Sequence, residues 1–379
     1  MIKMYSGCAR NANDVNRAVA LAARTFRSNE DGDSAINVKS LLLSPEGSIA
    51  EQDVVVLAEA GEILGACFLF DRYFYRGRSK LKGTFLTSIC IAESSRGKGC
   101  SALLMNCAIN EVKRRGAGFA ILIARRAVDH FYNKFNFWGL SQYSKIQLKL
   151  SEISVSDKEF SFSPVTESDL AVINTLYEST YSGLYGSCER SFEYWKHLMW
   201  RSANQRCNFL TYRTQGRVSG YVIFSGSELY EFATARNSSY VEFIHVLGEN
   251  YSIKEMTLHC SIEHPISCEL QGMDFSLTQR QCNYGGHMVR VINEAVLLKE
   301  LEKDIQDSIG SIGIEGYKEV LGDALINFTN GKVEITLKNT PYSYKNTCLL
   351  MGADFLSMGL GRDSAYKPRS FNVSLFNQC

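Results

Sequence analysis

Proline is scarce, five in 379 residues, and no tract is dominated by one or two residue types, which leaves no room for a fibrous or low-complexity architecture. A run of about 18 apolar residues is missing, so no transmembrane helix and no membrane partner are expected. The start, Met1-Ile2-Lys3-Met4-Tyr5, lacks the apolar stretch of a signal peptide. Excess charge is missing too. The net charge of +1 gives no reason to expect nucleic acid, and the pairs Arg114-Arg115 and Arg125-Arg126 are local features. No Cys-x-x-Cys pair or Cys/His cluster occurs among the twelve cysteines, and His259 and His264 do not form a ligand pair, so no metal is expected. Cys67 and Cys90 sit inside apolar runs, where a reduced cysteine acts as a small hydrophobe. Free thiols in a reducing cytoplasm are the expectation.

What remains is a globular composition, 45% hydrophobic and 21% charged, over a length that suggests two or three domains. Residues 11–28 read as a helix capped by Asn13 or Asp14, with Val15, Val19, Ala22 and Phe26 at helical spacing. Strands are expected at 54–58 and 63–70, around a turn at Ala60-Gly61, and again at 86–91. A glycine loop follows. A helix over 102–115 then carries Leu104, Ala108 and Val112 in one row, with Lys113, Arg114 and Arg115 suiting the negative end of its dipole. Gly116 stops it and 119–124 is the next strand.

A shift of 155 residues repeats part of this order. Thr166-Glu167-Ser168-Asp169 is a capping box before Leu170, Ile173 and Tyr177. Gly216 and Gly220 stand where Gly61 and Gly65 stood, and Tyr221-Val222-Ile223-Phe224 follow. On this shift residues 241–246 are a strand and the loop falls on 251–256, which contains no glycine. The second copy has therefore lost its loop. In the last ninety residues Val291, Ala295 and Leu298 form a helical row. Asn330-Gly331, between 326–329 and 332–337, signals a hairpin with a type I′ turn.

The chemistry sits in Arg96-Gly97-Lys98-Gly99-Cys100-Ser101. Lying between strand and amphipathic helix, this loop points backbone N–H groups out of the helix N-terminus, where a pyrophosphate is a natural guest. Its glycines let backbone approach phosphate without a Cβ in the way. The plain alternative is a glycine turn that merely starts a helix.

Ile89-Cys90-Ile91-Ala92, the loop, and Ala102-Leu103-Leu104 together resemble the central motif of the GNAT superfamily of N-acetyltransferases, whose loop reads Arg/Gln-x-x-Gly-x-Gly/Ala. Ser101 stands where that pattern has Gly or Ala. The resemblance implies acetyl-CoA as co-substrate, with the backbone of Ile89, Cys90 and Ile91 meeting its pantetheine arm. Phe131-Tyr132-Asn133-Lys134-Phe135-Asn136-Phe137 is similar to the superfamily's Tyr-x-x-x-Gly-Phe segment, with Asn136 in place of the glycine, a position of positive φ that Asn tolerates well. Tyr132 then matches the tyrosine that protonates the leaving thiolate. With 19 tyrosines in the chain, the plain alternative is a packed ring.

The layout resembles the enhanced-intracellular-survival branch of these enzymes. That implies an α/β (α+β) chain of tandem GNAT domains with mixed sheets, a catalytic one at 1–150 and a degenerate one at 151–285. A sterol-carrier-protein-like α+β domain follows at 286–379, opening with Gly286-His287-Met288-Val289-Arg290-Val291-Ile292. A homo-oligomer is implied as well. In that branch the terminal carboxylate acts as base, here that of Cys379. A carboxylate near pKa 3.5 cannot simply deprotonate an ammonium near 10, a gap of roughly 9 kcal/mol. It can position the amine, or take the proton once attack has made the nitrogen acidic. The Cys379 thiol has no basic neighbour in sequence to activate it. His130 reads equally as pocket or surface, and Trp195 and Trp200 as core or as acceptor-site wall. The expected reaction is acetyl transfer to a primary amine of a small molecule or peptide, such as an aminoglycoside, polyamine or lysine, with backbone donors near Ile91 at the oxyanion. The rivals are a non-catalytic acyl-CoA or lipid sensor, and a transferase of longer acyl chains.

Overall fold

The computed structural model describes residues 4–26, 49–76, 79–124, 128–139, 142–150, 160–204, 207–281, 286–310, 315–316, 318–321, 324–330 and 332–337. The chain opens with β1 (Tyr5–Cys8) and α1 (Ala12–Thr25). The α1 cap is Asn11, whose side chain accepts from the Asp14 N–H, not Asn13 or Asp14. Asp14 lies in the first turn instead, paired with Arg10. Val15, Ala18, Val19 and Ala22 are buried against β2 (Val54–Glu59) and β3 (Glu62–Arg76), which form the expected hairpin. Next come β4 (Ser79–Ile91), α2 (Cys100–Arg114), β5 (Phe119–Ala124), α3 (Asp129–Asn133), β6 (Trp138–Gly139) and β7 (Gln142–Lys149).

The second half runs β8 (Phe160–Pro164), α4 (Leu170–Tyr181), α5 (Phe192–Asn204), β9 (Asn208–Thr214), β10 (Arg217–Ser225), β11 (Glu228–Thr234), α6 (Tyr240–Tyr251), β12 (Glu255–Leu258), α7 (Ile266–Glu269) and β13 (Phe275–Gln281). Then follow β14 (Gly286–Val291), α8 (Glu294–Gly310) and the antiparallel strands β15 (Lys318–Leu321), β16 (Ala324–Thr329) and β17 (Lys332–Leu337). β16 and β17 pair up to Thr329↔Lys332, and Asn330 takes φ 53°, as the hairpin signal requires.

Two seven-stranded mixed sheets carry the molecule, in the orders β1-β2-β3-β4-β5-β14-β6 and β13-β7-β12-β11-β10-β9-β8. Each holds one parallel pair, β4 with β5 and β11 with β12. Each also takes one strand from beyond the bounds 150 and 286. β7 lies between β12 and β13 in the second sheet, and β14 lies between β5 and β6 in the first. The segment expected to open a third domain is thus a strand of the first sheet. Met288 and Val289, on opposite faces, are both fully buried there.

The second copy keeps the topology but not a constant shift. β3 and β4 have 15 and 13 residues where β10 and β11 have nine and seven. The offset therefore shrinks past the hairpin. Residues 241–246 are helix, inside α6, rather than strand. The counterpart of the glycine loop is 235–239, not 251–256, and it also lacks glycine.

Candidate active site

β4 pairs with β5 only from Gly83↔Phe119 to Leu86↔Leu122. β4 then runs on to Ile91 without β5 beside it, so the sheet opens between Thr87–Ile91 and Ile123-Ala124. A bulge marks the start of the opening: Thr87 faces Phe68 and Cys90 faces Ala66, with Ser88 at φ 50°. Positive φ in a serine is strained, and such strain gathers at functional sites. No feature of the sequence announces it. Ile89 and Ile91 pack partly against the core beneath α2. The Cys90 side chain points to the other face, among the residues under α1, and burial pushes its thiol up to about 12. For Cys90, then, only the backbone can meet a ligand in the opening.

Past Ile91, a 3-10 turn at Glu93–Ser95 leads into the loop. Gly97 and Gly99 take φ 74° and 78°, with nothing within 4 Å of where a Cβ would stand at either. Gly99 caps α2 without any side chain, and the first turn holds no acidic residue. The Ala102 and Leu103 N–H groups both bond to the Gly99 carbonyl. This leaves the Cys100 and Ser101 N–H groups at the helix mouth. Arg96 and Lys98 are exposed beside them. The Cys100 side chain is buried in the core, so its contribution is its N–H. These groups fit a pyrophosphate: open donors, a helix dipole, two cations and no carboxylate in the first turn.

At φ 78° a β-branched residue is strained and the loop must shift, but Gly99→Val should leave the core intact, because the new side chain enters open space. It should still weaken CoA binding about 10- to 100-fold, the worth of one charge-assisted hydrogen bond lost to a shifted loop. Titration calorimetry measures this, and unchanged affinity removes the loop from the site.

Tyr132 stands on α3 and is 9% exposed. It lies in the same cluster as Cys67, Leu86, Leu122, Ala124 and Met288. Phe131 meets it edge-on at 5.1 Å and Phe137 at 6.5 Å. Asn136 takes φ 57°, the conformation expected of it. The turn closes through Phe137 N–H to the Tyr132 carbonyl at 3.2 Å and Asn133 Nδ2 to the Phe137 carbonyl at 2.9 Å. Burial, with a smaller contribution from Cys67, pushes the Tyr132 hydroxyl up to about 12. It is a held proton, not a phenolate.

The second copy fills the equivalent space with its own side chains. Past Leu229↔Leu258, β11 leaves β12, but Tyr181 bonds both the N–H and the carbonyl of Phe232, and His264 Nε2 lies 3.3 Å from the same carbonyl. At the α6 N-terminus Ser239 caps Glu242 N–H. The Glu269 carboxylate accepts from Ser239 Oγ at 2.6 Å, Tyr240 N at 3.0 Å and Val241 N at 3.2 Å.

Trp195 is core, donating to Asn174 at 2.8 Å. Trp200 stacks with His197 on the same helix. His130 is exposed. Cys379 lies outside the described residues. The nine cysteines among the described residues are free, so no disulfide staples this part of the chain. Among those residues no group of three or more His, Cys, Asp or Glu is placed to hold a metal, and no helix is long and apolar enough to cross a membrane.

Residues 9–140 match the acetyltransferase (GNAT) domain family. No curated protein matches the chain. Among solved structures, Eis1 from Mycobacterium abscessus is similar at 14% identity and TM-score 0.65, over 98% of this chain and 97% of that one. A GCN5-related N-acetyltransferase from Kribbella flavida is similar at 12% and 0.65, over 100% and 97%. One from Anabaena variabilis is similar at 16% and 0.63, over 89% and 86%. At such identities the likeness is one of fold. The family match covers the opened sheet, the glycine loop and Tyr132, and it marks residues 9–140 as a GNAT acetyltransferase domain, a family that implies an acyl-CoA co-substrate.

Proposed function

We propose that the first domain moves an acetyl group from acetyl-CoA to a primary amine of a small molecule or peptide, in one ternary complex. The observation that carries this is the parting of β4 from β5 beside an uncapped α2 N-terminus, with Tyr132 on the flank of the gap. In this reading Arg96, Gly97, Lys98, Gly99, Cys100 and Ser101 hold the pyrophosphate, through backbone N–H groups and the two cations. The backbone of Ile89, Cys90 and Ile91 pairs with the pantetheine arm as a strand would, and donors near Ile91 face the developing oxyanion.

Tyr132 faces a leaving thiolate of pKa near 8.5. Full proton transfer from a hydroxyl near 12 is uphill by roughly 5 kcal/mol. Its role is therefore a hydrogen bond that strengthens as sulfur gains charge, with the proton following as the C–S bond breaks.

A cavity of about 290 Å³, where β3 runs on past β2, is lined by Asp71, Arg72, Tyr73, Glu189, Arg190, Ser191 and Tyr194. Its two carboxylates are balanced by two arginines and are paired with Lys82, Arg115 and Lys80, so it does not select the charge of the acceptor. Incubation with acetyl-CoA and each of spermidine, kanamycin and Nα-acetyl-lysine, following free CoA, tests the reading. Release with none of them overturns it.

We also read the chain as a catalytic unit (1–150), a degenerate one (151–285) and a sterol-carrier-like one (286–379), except that β7 joins the second sheet and β14 the first. In this reading the Cys379 carboxylate positions the amine. Cys379→Ser should then leave turnover intact, while two or three residues appended after Cys379 should abolish most of it at unchanged CoA affinity. A fully active extended protein removes the terminal carboxylate from the mechanism.

A further inference from the structure

Antiparallel pairing places His287 of β14 directly across from Ile123 of β5, and Ile123 is the first residue of β5 beyond its last rung with β4. Cross-strand partners share a face. Along β14, Met288 joins the cluster that holds Tyr132, and Arg290 donates to the Phe135 carbonyl on that same side. By the alternation of a strand, His287 lies on the opposite face. The opening is thus flanked by Tyr132 on one side of the sheet and by His287 on the other.

His287 is 5% exposed, and its Nε2 has no hydrogen-bond partner among the described residues. Other buried histidines are engaged: His264 meets the Phe232 carbonyl and the Ile266 N–H, and His259 meets Glu228. A buried ring nitrogen without a partner is destabilising, which a leucine or methionine at the same place would not be. Such a group in a native fold calls for a use. Burial pushes the imidazole down to about 4, with no charged neighbour contributing. At neutral pH it is uncharged and offers a lone pair.

We infer that His287 is the side chain that receives the acceptor amine, its free nitrogen accepting a hydrogen bond from the amine N–H on the face opposite Tyr132. This rests on the acetyl-transfer reading above. The amine nitrogen forms a bond to the thioester carbonyl carbon, and its proton passes to His287. The C–S bond breaks with its electron pair on sulfur, which takes the Tyr132 proton. His287 then releases its proton to water and Tyr132 regains one from water, so protons balance over the cycle.

The test uses the full chain with spermidine, kanamycin and Nα-acetyl-lysine as acceptors. His287→Leu should melt at or above the wild-type temperature and bind acetyl-CoA with wild-type affinity, yet lose about 10²-fold or more in kcat. A purely structural histidine predicts no loss of turnover. His287→Gln keeps an acceptor oxygen but cannot take a proton, so KM for the amine should stay near wild type while kcat falls at least about tenfold. If the leucine variant does not fold, the glutamine variant decides: wild-type kcat overturns the inference. An active wild type with an equally active leucine variant overturns the inference alone. A wild type that releases no CoA with any of the three amines overturns the acetyl-transfer reading as well.

Discussion

Tyr132→Phe should lower kcat about 10²- to 10⁴-fold, the range of a lost acid catalyst, with acetyl-CoA affinity within about twofold of wild type. The substitution removes one oxygen, and the ring keeps its contacts with Phe131 and Phe137. No hydrogen bond to the hydroxyl is made among the described residues, so the fold loses little. The hydroxyl is held near 12 by burial, so it stays protonated at every ordinary assay pH. The wild-type kcat should therefore show no falling limb from this group below about pH 10, the value of an exposed tyrosine. A kcat within threefold of wild type would reduce Tyr132 to a packing residue. An alkaline limb near pH 9 that vanishes in the phenylalanine variant would mean the hydroxyl is less buried than its surroundings indicate.

The largest stability effect should come from the second half of the chain. Arg190 and Glu231 meet in two 2.6 Å contacts with neither side chain exposed. Tyr221 donates to the same carboxylate at 2.9 Å, and the guanidinium lies over Tyr177 at 4.1 Å and Trp195 at 4.5 Å. Glu231→Ala strips the counter-charge from a cation that water cannot reach, which costs about 3–5 kcal/mol. That is a large share of the stability of a typical domain. Replacing both partners, Arg190→Met with Glu231→Leu, should recover most of the loss, since desolvation of two charges offsets much of their attraction. Denaturant midpoints of the three proteins decide this. A single variant as stable as wild type would show that water reaches the pair.

The hairpin of β2 and β3, the glycine loop, α2 and β5 are legible in the sequence because each is fixed by a local pattern: alternation, turn glycines, a helical row with basic residues at its end. The exchange of β7 and β14 is not. Alternation says that a segment is a strand but not which edge it joins, and both strands pair with partners more than a hundred residues away. The misreading of 241–246 has a nearer cause. A short apolar run fits a strand or a buried helix equally, and a constant shift tips it toward strand. Ser239-Tyr240-Val241-Glu242 carries the capping signature that marks a helix start, and Ser239 does cap Glu242 N–H. At the site, the glycines and Tyr132 announce themselves by motif. Ser88 and His287 do not, because a bulge and a face of a sheet exist only once strands are paired.

Glu269 supplies from within the chain the negative charge that, on the proposed reading, the first domain takes from its cofactor. The α6 N-terminus thus completes its electrostatics on folding, at any cofactor concentration. On the proposed reading the α2 N-terminus, with Gly99 and no acidic first turn, is completed when a phosphate arrives. Ligation of that end then enters the folding equilibrium by mass action: a hundredfold excess over Kd adds about 2.7 kcal/mol. The two halves of one chain should therefore respond differently to CoA, slower amide exchange appearing around residues 96–101 and along β4, and none around residues 235–241.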